Sequence, residues 1–434
     1  MASRWSGREA LTVHGMVDRA ENALLRSGLL DRVYAVLRRT IYPPLLKLAG
    51  AYRRRIEGVS FVAVTGSAGK TTTTAMIHAA LAESLPLPRF RNGDNRARGL
   101  IQGLRGVRHG HCAMVKELAA TGPGSLAPLL AAMAPDIGVV TSVGLDHYSA
   151  FRGIEAVAKE KASLVEVLPP GGLAVLNADD PNVAAMASKT RARVILCGRA
   201  ETADFRAVDV SSHLPDFLRM TVIRGGTRLP VTTQLAGEHW VFSVLATFAV
   251  AETLGVEPAA AAAAITRFEP PTGRQRAVTL ANGAVLIQDD WKAPAWSLPA
   301  SLKVLAEARA ERKILVLGHL SDTSRKPRDL YRPVARDARR LADLVVLVGQ
   351  WAEHGLAART DPSDESIVAF TSIVAARDFL ARTIRGGDVV LFKGTGRVGH
   401  FERLFMSLAG TVRCWRHPCL RQTWCSHCPR LTKG

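Results

Sequence analysis

The chain has 434 residues, of which 47% are hydrophobic and 22% charged. That is the balance of a folded protein with more than one core, and it excludes a disordered chain. A formal charge of +19 favours contact with polyanions or phosphorylated molecules, although charge alone selects none of them. No apolar run reaches the roughly 18 residues of a membrane span. The opening MASRWSGREALTVHG lacks the apolar centre of a secretion signal, so a cytoplasmic location is expected.

Residues 1–57 read as a basic helical extension, with Arg38, Arg39, Arg53, Arg54 and Arg55 set among Leu37, Leu45, Leu46 and Leu48. Pro43 and Pro44 are expected to divide it into two helices. Such a segment can touch a membrane surface or a partner protein, but packing on its own chain is the preferred reading.

Next comes FVAVTGSAGKTTTT, residues 61–74. An apolar strand that ends in a glycine-bracketed loop and restarts as a helix aims backbone N–H groups at one point, where a phosphate can sit. Gly66, Ser67, Ala68 and Gly69 supply the loop, Lys70 a cation, and Thr71 or Thr72 a hydroxyl for Mg²⁺. The spacing is Gly-x-x-Gly-Lys-Thr, shorter than the common form with four residues between the glycines. A nucleoside triphosphate is the expected ligand.

From Gly58 onward, apolar strands such as PDIGVVTSV (135–143) and GGLAVLN (171–177) alternate with helical stretches, the rhythm of a parallel sheet covered by helices. A strong helix covers 235–256 and ends at Gly255. The cluster Pro270-Pro271-Thr272-Gly273 marks a boundary, so residues 58–269 form the expected central ATP-binding domain. AVLIQDD, KILVLGHL, LVVLVGQ and VVLFKGTG then build a smaller Rossmann-like α/β domain over 270–410. Residues 411–434 are a basic cysteine-rich tail. Its Cys414, Cys419, Cys425 and Cys428, with His417 and His427 among them, fit a candidate zinc site. Cys112 and Cys197 read as core residues.

Taken together, these motifs resemble the Mur ligase family, ATP-dependent enzymes that join a carboxylate to an amine through an acyl phosphate. The likeness is closest to the MurF-type branch, which adds D-alanyl-D-alanine. It runs from about Phe61 to Arg403: the short phosphate loop, Asn92-Gly93-Asp94-Asn95, MVKELAATGPGSL, TSVGLDHYSAF, AVAKEKASLVEVL and LNADDP follow in family order. The resemblance implies Mg²⁺ ligation by Thr71, Glu117, His147 and Lys161. The lysine would be carbamylated, and register favours Lys161 over Lys159. Lys70, Glu117, His147 and Lys161 are thereby the expected catalytic residues. His239, Arg274 of Pro271-Thr272-Gly273-Arg274 and Asp289 of IQDDWKAPAWS are the expected nucleotide-side residues. LFKGTGRVGHFER resembles the strand and loop where the amine substrate is expected.

Four positions depart from the family pattern. Trp240 and Ser243 stand where asparagines help hold the nucleotide, and Lys292 and Pro294 replace two more. Trp240 is offered as a stacking surface for adenine. No counterpart of the family's UDP-sugar domain precedes the phosphate loop, so a UDP-muramoyl peptide is not the expected substrate. The expected substrates are a small carboxylate and an amino acid or peptide amine. Two other readings stand beside the ligase. One is a catalytically altered Mur-like scaffold or partner-dependent subunit. The other is a nucleic-acid-binding NTPase using Arg413, Trp415, Arg416, Arg421 and Trp424, although nucleic acid is not the favoured partner.

Overall fold

The structure is a computed structural model that describes residue 36 and residues 40–90, 93–145, 148–415, 419, 424–428 and 430–431. Two sheets organise it. The central one is built from β1 (Ser60–Thr65), β2 (Ala113–Glu117), β3 (Ile137–Val140), β4 (Leu173–Asn177), β5 (Arg193–Gly198), β6 (Phe205–His213), β7 (Asp216–Arg224) and β8 (Thr227–Thr232). Their order is β2-β1-β3-β4-β5-β6-β7-β8. Pairing is parallel from β2 through β6 and antiparallel from β6 to β8.

The near-continuous apolar run of β1 follows from cover on both faces. On one side Val62 and Val64 meet Met76, Ile77 and Leu81 of α2 (Lys70–Ala82, after α1 at Tyr42–Arg53). On the other, Phe61 and Ala63 meet Leu100 and Leu104 of α3 (Ala97–Gly106) and Leu130 of α4 (Ala127–Met133). The threonines that open α2 are poor helix formers because they are β-branched or bond back to the backbone. Here the back-bonds serve the helix: Thr73 Oγ1 donates to Gly69 O at 3.0 Å and Thr74 Oγ1 to Lys70 O at 2.7 Å.

The second sheet comprises β9 (Arg276–Thr279), β10 (Val285–Asp289), β11 (Arg312–Leu317), β12 (Leu344–Val348), β13 (Ile367–Phe370) and β14 (Asp388–Lys393), ordered β13-β12-β11-β14-β10-β9. Only β9 runs antiparallel. Register pairs Asp289 with Lys393 at the carboxyl ends of β10 and β14, where open α/β sheets gather functional groups. The expected α/β class with two parallel-dominated sheets is borne out.

Pro43 and Pro44 sit in the first turn of α1, where a missing N–H costs nothing; the helix expected ahead of them falls almost wholly outside the described residues. Two elements differ from the sequence expectation. The antiparallel β6–β8 extension was not anticipated; register shifts between Val208 and His213 break its period-two pattern. The expected helix over 235–256 begins with a 3₁₀ turn, Glu238–Trp240, and continues as an α-helix, Val241–Thr253. Helix α1 packs on the chain's own domain. Its Arg53 guanidinium donates to Met133 O and Ala134 O at 3.0 Å each and pairs with Asp136 at 3.1 Å. Leu45, Leu48 and Tyr52 face outward.

Candidate active site

The phosphate loop leaves β1 and bends over the end of β3. Gly66 has φ +146°, and a Cβ there would lie 1.8 Å from Thr141 Oγ1. Thr141 Oγ1 donates to Ala68 O at 2.5 Å, Ser67 N to Ser142 O at 2.8 Å, and Ala68 N to Ser142 Oγ at 3.0 Å. Gly69 is left-handed (φ +78°) and precedes α2 with no side-chain cap. The first-turn N–H groups of that helix therefore face the loop cavity. Lys70 Nζ folds back on Gly66 O (2.8 Å) and Ser67 O (3.2 Å).

Thr71 and Glu117 meet across this cavity. Thr71 Oγ1 donates to Glu117 Oε2 at 2.8 Å, and Asn95 Nδ2 to Glu117 Oε1 at 2.7 Å. Both carboxylate oxygens are thus aimed by hydrogen bonds from the phosphate loop helix and the 93–95 loop. Thr72 Oγ1 is buried with no hydrogen-bond partner, and such an orphan is expected where a ligand supplies the partner. A hard oxygen pair beside a helix N-terminus, a Gly66 without room for a Cβ, a left-handed Gly69 and that orphaned hydroxyl fit ATP with Mg²⁺.

Of the remaining expected residues, Lys161 is buried at 1% exposure on the helix Ile154–Glu166, whereas Lys159 on the same helix is exposed. Its neighbour Glu160 accepts from Gly124 N and Leu126 N at 2.7 Å each. His147 lies outside the described residues, as does Asn92. His239 sits on the 3₁₀ turn, its ring centroid 4.8 Å from that of Trp240.

Trp240 corrects an expectation. Its ring is buried and its indole N–H donates to Gln275 Oε1 at 3.1 Å, so it is not a surface on which adenine can stack. Ser243 is buried as well, its hydroxyl 2.8 Å from Thr73 Oγ1, where it fastens α2 to the helix Val241–Thr253. Gln275 has φ +58°, a strained conformation for a residue with a side chain. It is held there by Trp240, by Asp289 Oδ2 (3.2 Å) and by Ser301 Oγ (3.4 Å).

Asp289 is the centre of this seam. Oδ2 accepts from Ser301 Oγ at 2.6 Å, Lys393 Nζ at 2.8 Å and Gln275 Nε2. Burial pushes its pKa up, but the Lys393 ammonium and these donors outweigh that and hold it below the ordinary value. Asp290 behaves oppositely: burial lifts it to about 8, against the lowering hydrogen bond from Gln288, so it carries a proton at neutral pH.

Arg274 crosses from the second domain to the first. Its Nη2 lies 3.4 Å from Thr71 Oγ1, and its Cζ is 5.5 Å from the ring centroid of Trp291. Nearby, Trp296 packs on Gly144 of the central domain, where a Cβ would meet its ring at 3.0 Å. Lys292 pairs with Asp322 at 2.7 Å. Loops 293–296, 319–321 and 395–396 are joined by Ala295 N to Ser321 O (2.9 Å) and Thr395 N to His319 O (3.0 Å). On them, Trp296 Nε1, His319 Nδ1 and Ser321 Oγ are buried without a hydrogen-bond partner. Burial lowers the His319 pKa, leaving the ring neutral at pH 7.

The tail does not gather its cysteines as expected. Among the described residues no three His, Cys, Asp or Glu side chains are placed to hold a metal ion. Cys425 Sγ lies 3.2 Å from His400 Nδ1, and burial pushes its thiol up to about 12. The zinc expectation therefore finds no support. His417, Arg416 and Arg421 lie outside the described residues. Asn95, Gln275 and the tail contacts were missed as site features. Asn95 stood inside a quoted motif, whereas Gln275 carried no signal of its own.

Comparison with known proteins gives a consistent result. The Mur ligase middle domain model matches residues 64–251, and the model of the Mur ligase glutamate ligase domain matches residues 273–396. The UDP-N-acetylmuramoyl-tripeptide--D-alanyl-D-alanine ligase of Mycobacterium tuberculosis (strain ATCC 25618 / H37Rv) is 32% identical over 385 residues, covering 82% of this chain and 74% of that protein. The structure of MurF from Acinetobacter baumannii superposes with a TM-score of 0.74 at 24% identity, covering 84% of this chain and 80% of that one. MurF ligase from Thermotoga maritima in complex with ADP gives a TM-score of 0.73 at 21% identity, covering 85% and 83%. Among the described residues no helix is long and apolar enough to cross a membrane.

Proposed function

The chain belongs to the Mur ligase family, and from that premise we propose that it is an ATP-dependent ligase forming an amide bond between a carboxylate and an amine. The observation that carries this is the meeting of Arg274 from the second domain with Thr71 of the phosphate loop, beside a Glu117 fixed at both oxygens. Activation and amine capture need both domains at one point, and a simple nucleotide-binding module would not.

The loop N–H groups and Lys70 would hold the β- and γ-phosphates of ATP, with Arg274 beside the same loop at Thr71. Mg²⁺, when held by Thr71 and Glu117, neutralises charge on those phosphates. The family resemblance adds a second cation site of His147 and carbamylated Lys161. Burial of Lys161 beside exposed Lys159 supports that register. A carboxylate oxygen of the donor attacks the γ-phosphorus as the bond to ADP breaks, giving an acyl phosphate. Positioning and charge neutralisation supply most of the catalysis. The amine nitrogen then attacks the acyl carbon through an anionic tetrahedral state, phosphate leaves with its bonding pair, and the nitrogen gives up a proton. The orphaned Trp296 Nε1, His319 Nδ1 and Ser321 Oγ support an acceptor subsite for an amine bearing a polar group such as a carboxylate.

The test is ADP release by the purified chain with ATP, Mg²⁺ and a matrix of donors and amines, coupled to mass spectrometry. The donors include free peptides and a UDP-muramoyl tripeptide. The expected result is ADP release that needs both substrates, with a product mass equal to their sum less one water. Turnover of the UDP-muramoyl peptide would overturn the expectation of a different donor. No amine-dependent ADP release in any pair would leave the scaffold reading, and nucleic-acid-stimulated ATP hydrolysis the NTPase reading.

A further inference from the structure

The cysteine-rich tail, which has no part in the reaction described above, ends against the active site. Trp424 is only 6% exposed. Its ring lies flat on Trp291, with centroids 4.0 Å apart and planes 13° from parallel. A Cβ on Gly396 would meet the Trp424 ring at 2.5 Å, so the indole lies directly on the loop that follows β14. Arg397 places its Cζ 5.3 Å from the Trp424 centroid on that same loop. With Arg274 5.5 Å from the Trp291 centroid, four side chains form a ladder of cation, ring, ring and cation: Arg274, Trp291, Trp424, Arg397. Its inner end touches Thr71 of the phosphate loop.

The tail is fastened there by more than ring contact. Buried Glu402, at the start of the helix Glu402–Ala409, accepts from Cys425 N, from Ser426 N at 3.4 Å and from Ser426 Oγ at 3.2 Å. His400 holds Cys425 Sγ through Nδ1 and meets Cys419 O at 2.9 Å through Nε2. Arg403 Nη1 donates to Cys414 O at 3.0 Å. A carboxylate kept buried for backbone N–H groups of another segment is a costly anchor unless those groups stay in place.

We propose that Trp424 is a positioning residue for the nucleotide site: it fixes the plane of Trp291 and through it the guanidinium of Arg274 beside the phosphate loop. A ring stacked on one face of Trp291 limits the tilt of that indole. The Arg274 guanidinium, 5.5 Å from that ring's centroid, is then held where the ring's negative potential is directed. The tail thereby completes a site whose other parts come from the two family domains. This rests on the reading of the loop as an ATP site, so nucleotide binding is measured separately from ligation.

The experiment uses the full chain and two substitutions that both keep an apolar side chain at the position. Trp424→Phe keeps a π face towards Trp291, and Trp424→Leu does not. Binding of Mg²⁺ with a non-hydrolysable ATP analogue is measured by calorimetry, and KM for ATP and for the amine by ADP release. Trp424→Leu is expected to weaken analogue binding about fivefold, the scale of one lost cation–π or aromatic contact. Trp424→Phe should stay within about twofold of the parent on the same scale. Arg397→Ala, an exposed rung, is expected to move binding in the same direction by less. Unchanged analogue binding in Trp424→Leu would overturn the proposal, as would a rise confined to the amine KM. Equal losses in the Leu and Phe variants would reduce Trp424 to a filler and overturn it too. Failure of the unsubstituted chain to bind the analogue would instead remove the ATP-site reading beneath it.

Discussion

Lys393→Met isolates the energetics of the seam beneath the active site. The ammonium and Asp289 are both buried and 2.8 Å apart, with side-chain exposures of 4% and 10%. Removing one partner leaves a carboxylate buried without its countercharge, which typically costs about 3–5 kcal/mol. Ser301 and Gln275 still donate to Oδ2, so the expected loss is about 3 kcal/mol at pH 7.5, the low end of that range. The pH dependence should also reverse. In the parent, Asp289 has a lowered pKa; its stabilisation is present above the ordinary carboxylate value and fades as pH falls below it. Without Lys393, burial dominates and raises the pKa, so the variant loses stability as pH climbs from acid towards neutral. Guanidinium unfolding followed by tryptophan fluorescence at pH 4.5 and 7.5 reads both effects, and Asp289→Asn/Lys393→Met should recover most of the loss. A deficit below about 1 kcal/mol at pH 7.5, at the level of an exposed pair, would refute the reasoning. So would a deficit of the same size at both pH values.

Other consequences follow from the same geometry. Gly66→Ala places a Cβ on Thr141 Oγ1 at φ +146°; strain and the displaced Thr141 bond should cost about 2–3 kcal/mol, with ADP titration showing at least a tenfold weaker site. Glu117→Gln keeps the bond from Thr71 but removes the anionic oxygen; amide formation is expected to fall roughly 10²-fold, the scale of a lost electrostatic stabiliser, with the thermal midpoint little changed. Asp290, with a pKa raised by burial to about 8, contributes stability that is fully present below the ordinary carboxylate pKa and lost as pH rises through about 8. Asp290→Asn should flatten that decline, read as unfolding midpoints from pH 4 to 9; a decline that survives in the variant assigns it to another group.

Much of the site was legible because its chemistry is local in the chain. The phosphate loop needs Gly66 where a Cβ would strike Thr141 and Gly69 at a left-handed φ, and those glycines stand beside the lysine and threonine they serve. Glu117 was legible for a similar reason: it ends an apolar strand that pairs with β1, Val64 opposite Glu117. The seam was not legible. Gln275 matters because of Trp240, Asp289 and Ser301, partners at sequence separations of 35, 14 and 26 residues, and no local pattern marks a glutamine for that. The tail misled through its cysteines, whose spacing suggested a metal. Burial beside Glu402 and His400 turned Cys425 into a packed neutral thiol, and the tail residue that meets the site is the tryptophan next to it.

The positions that depart from the family pattern bear on the scaffold reading. A site decaying from catalysis would keep its loop and lose the fit of the residues around it, because nothing selects their partners. Here Trp240 is hydrogen-bonded to Gln275, Ser243 to Thr73, and Lys292 is paired with Asp322. Each of these three substituted side chains has a matched partner elsewhere in the chain. Two of those partners, Gln275 and Thr73, connect directly to Asp289 and to the helix that follows the phosphate loop. Buried polar groups without partners are costly, and the orphans on the second domain's loops gather on the acceptor side. That distribution is the one a working ligase with a remodelled amine pocket would have: substituted positions rebuilt with matched partners, and unsatisfied groups kept where a substrate would meet them.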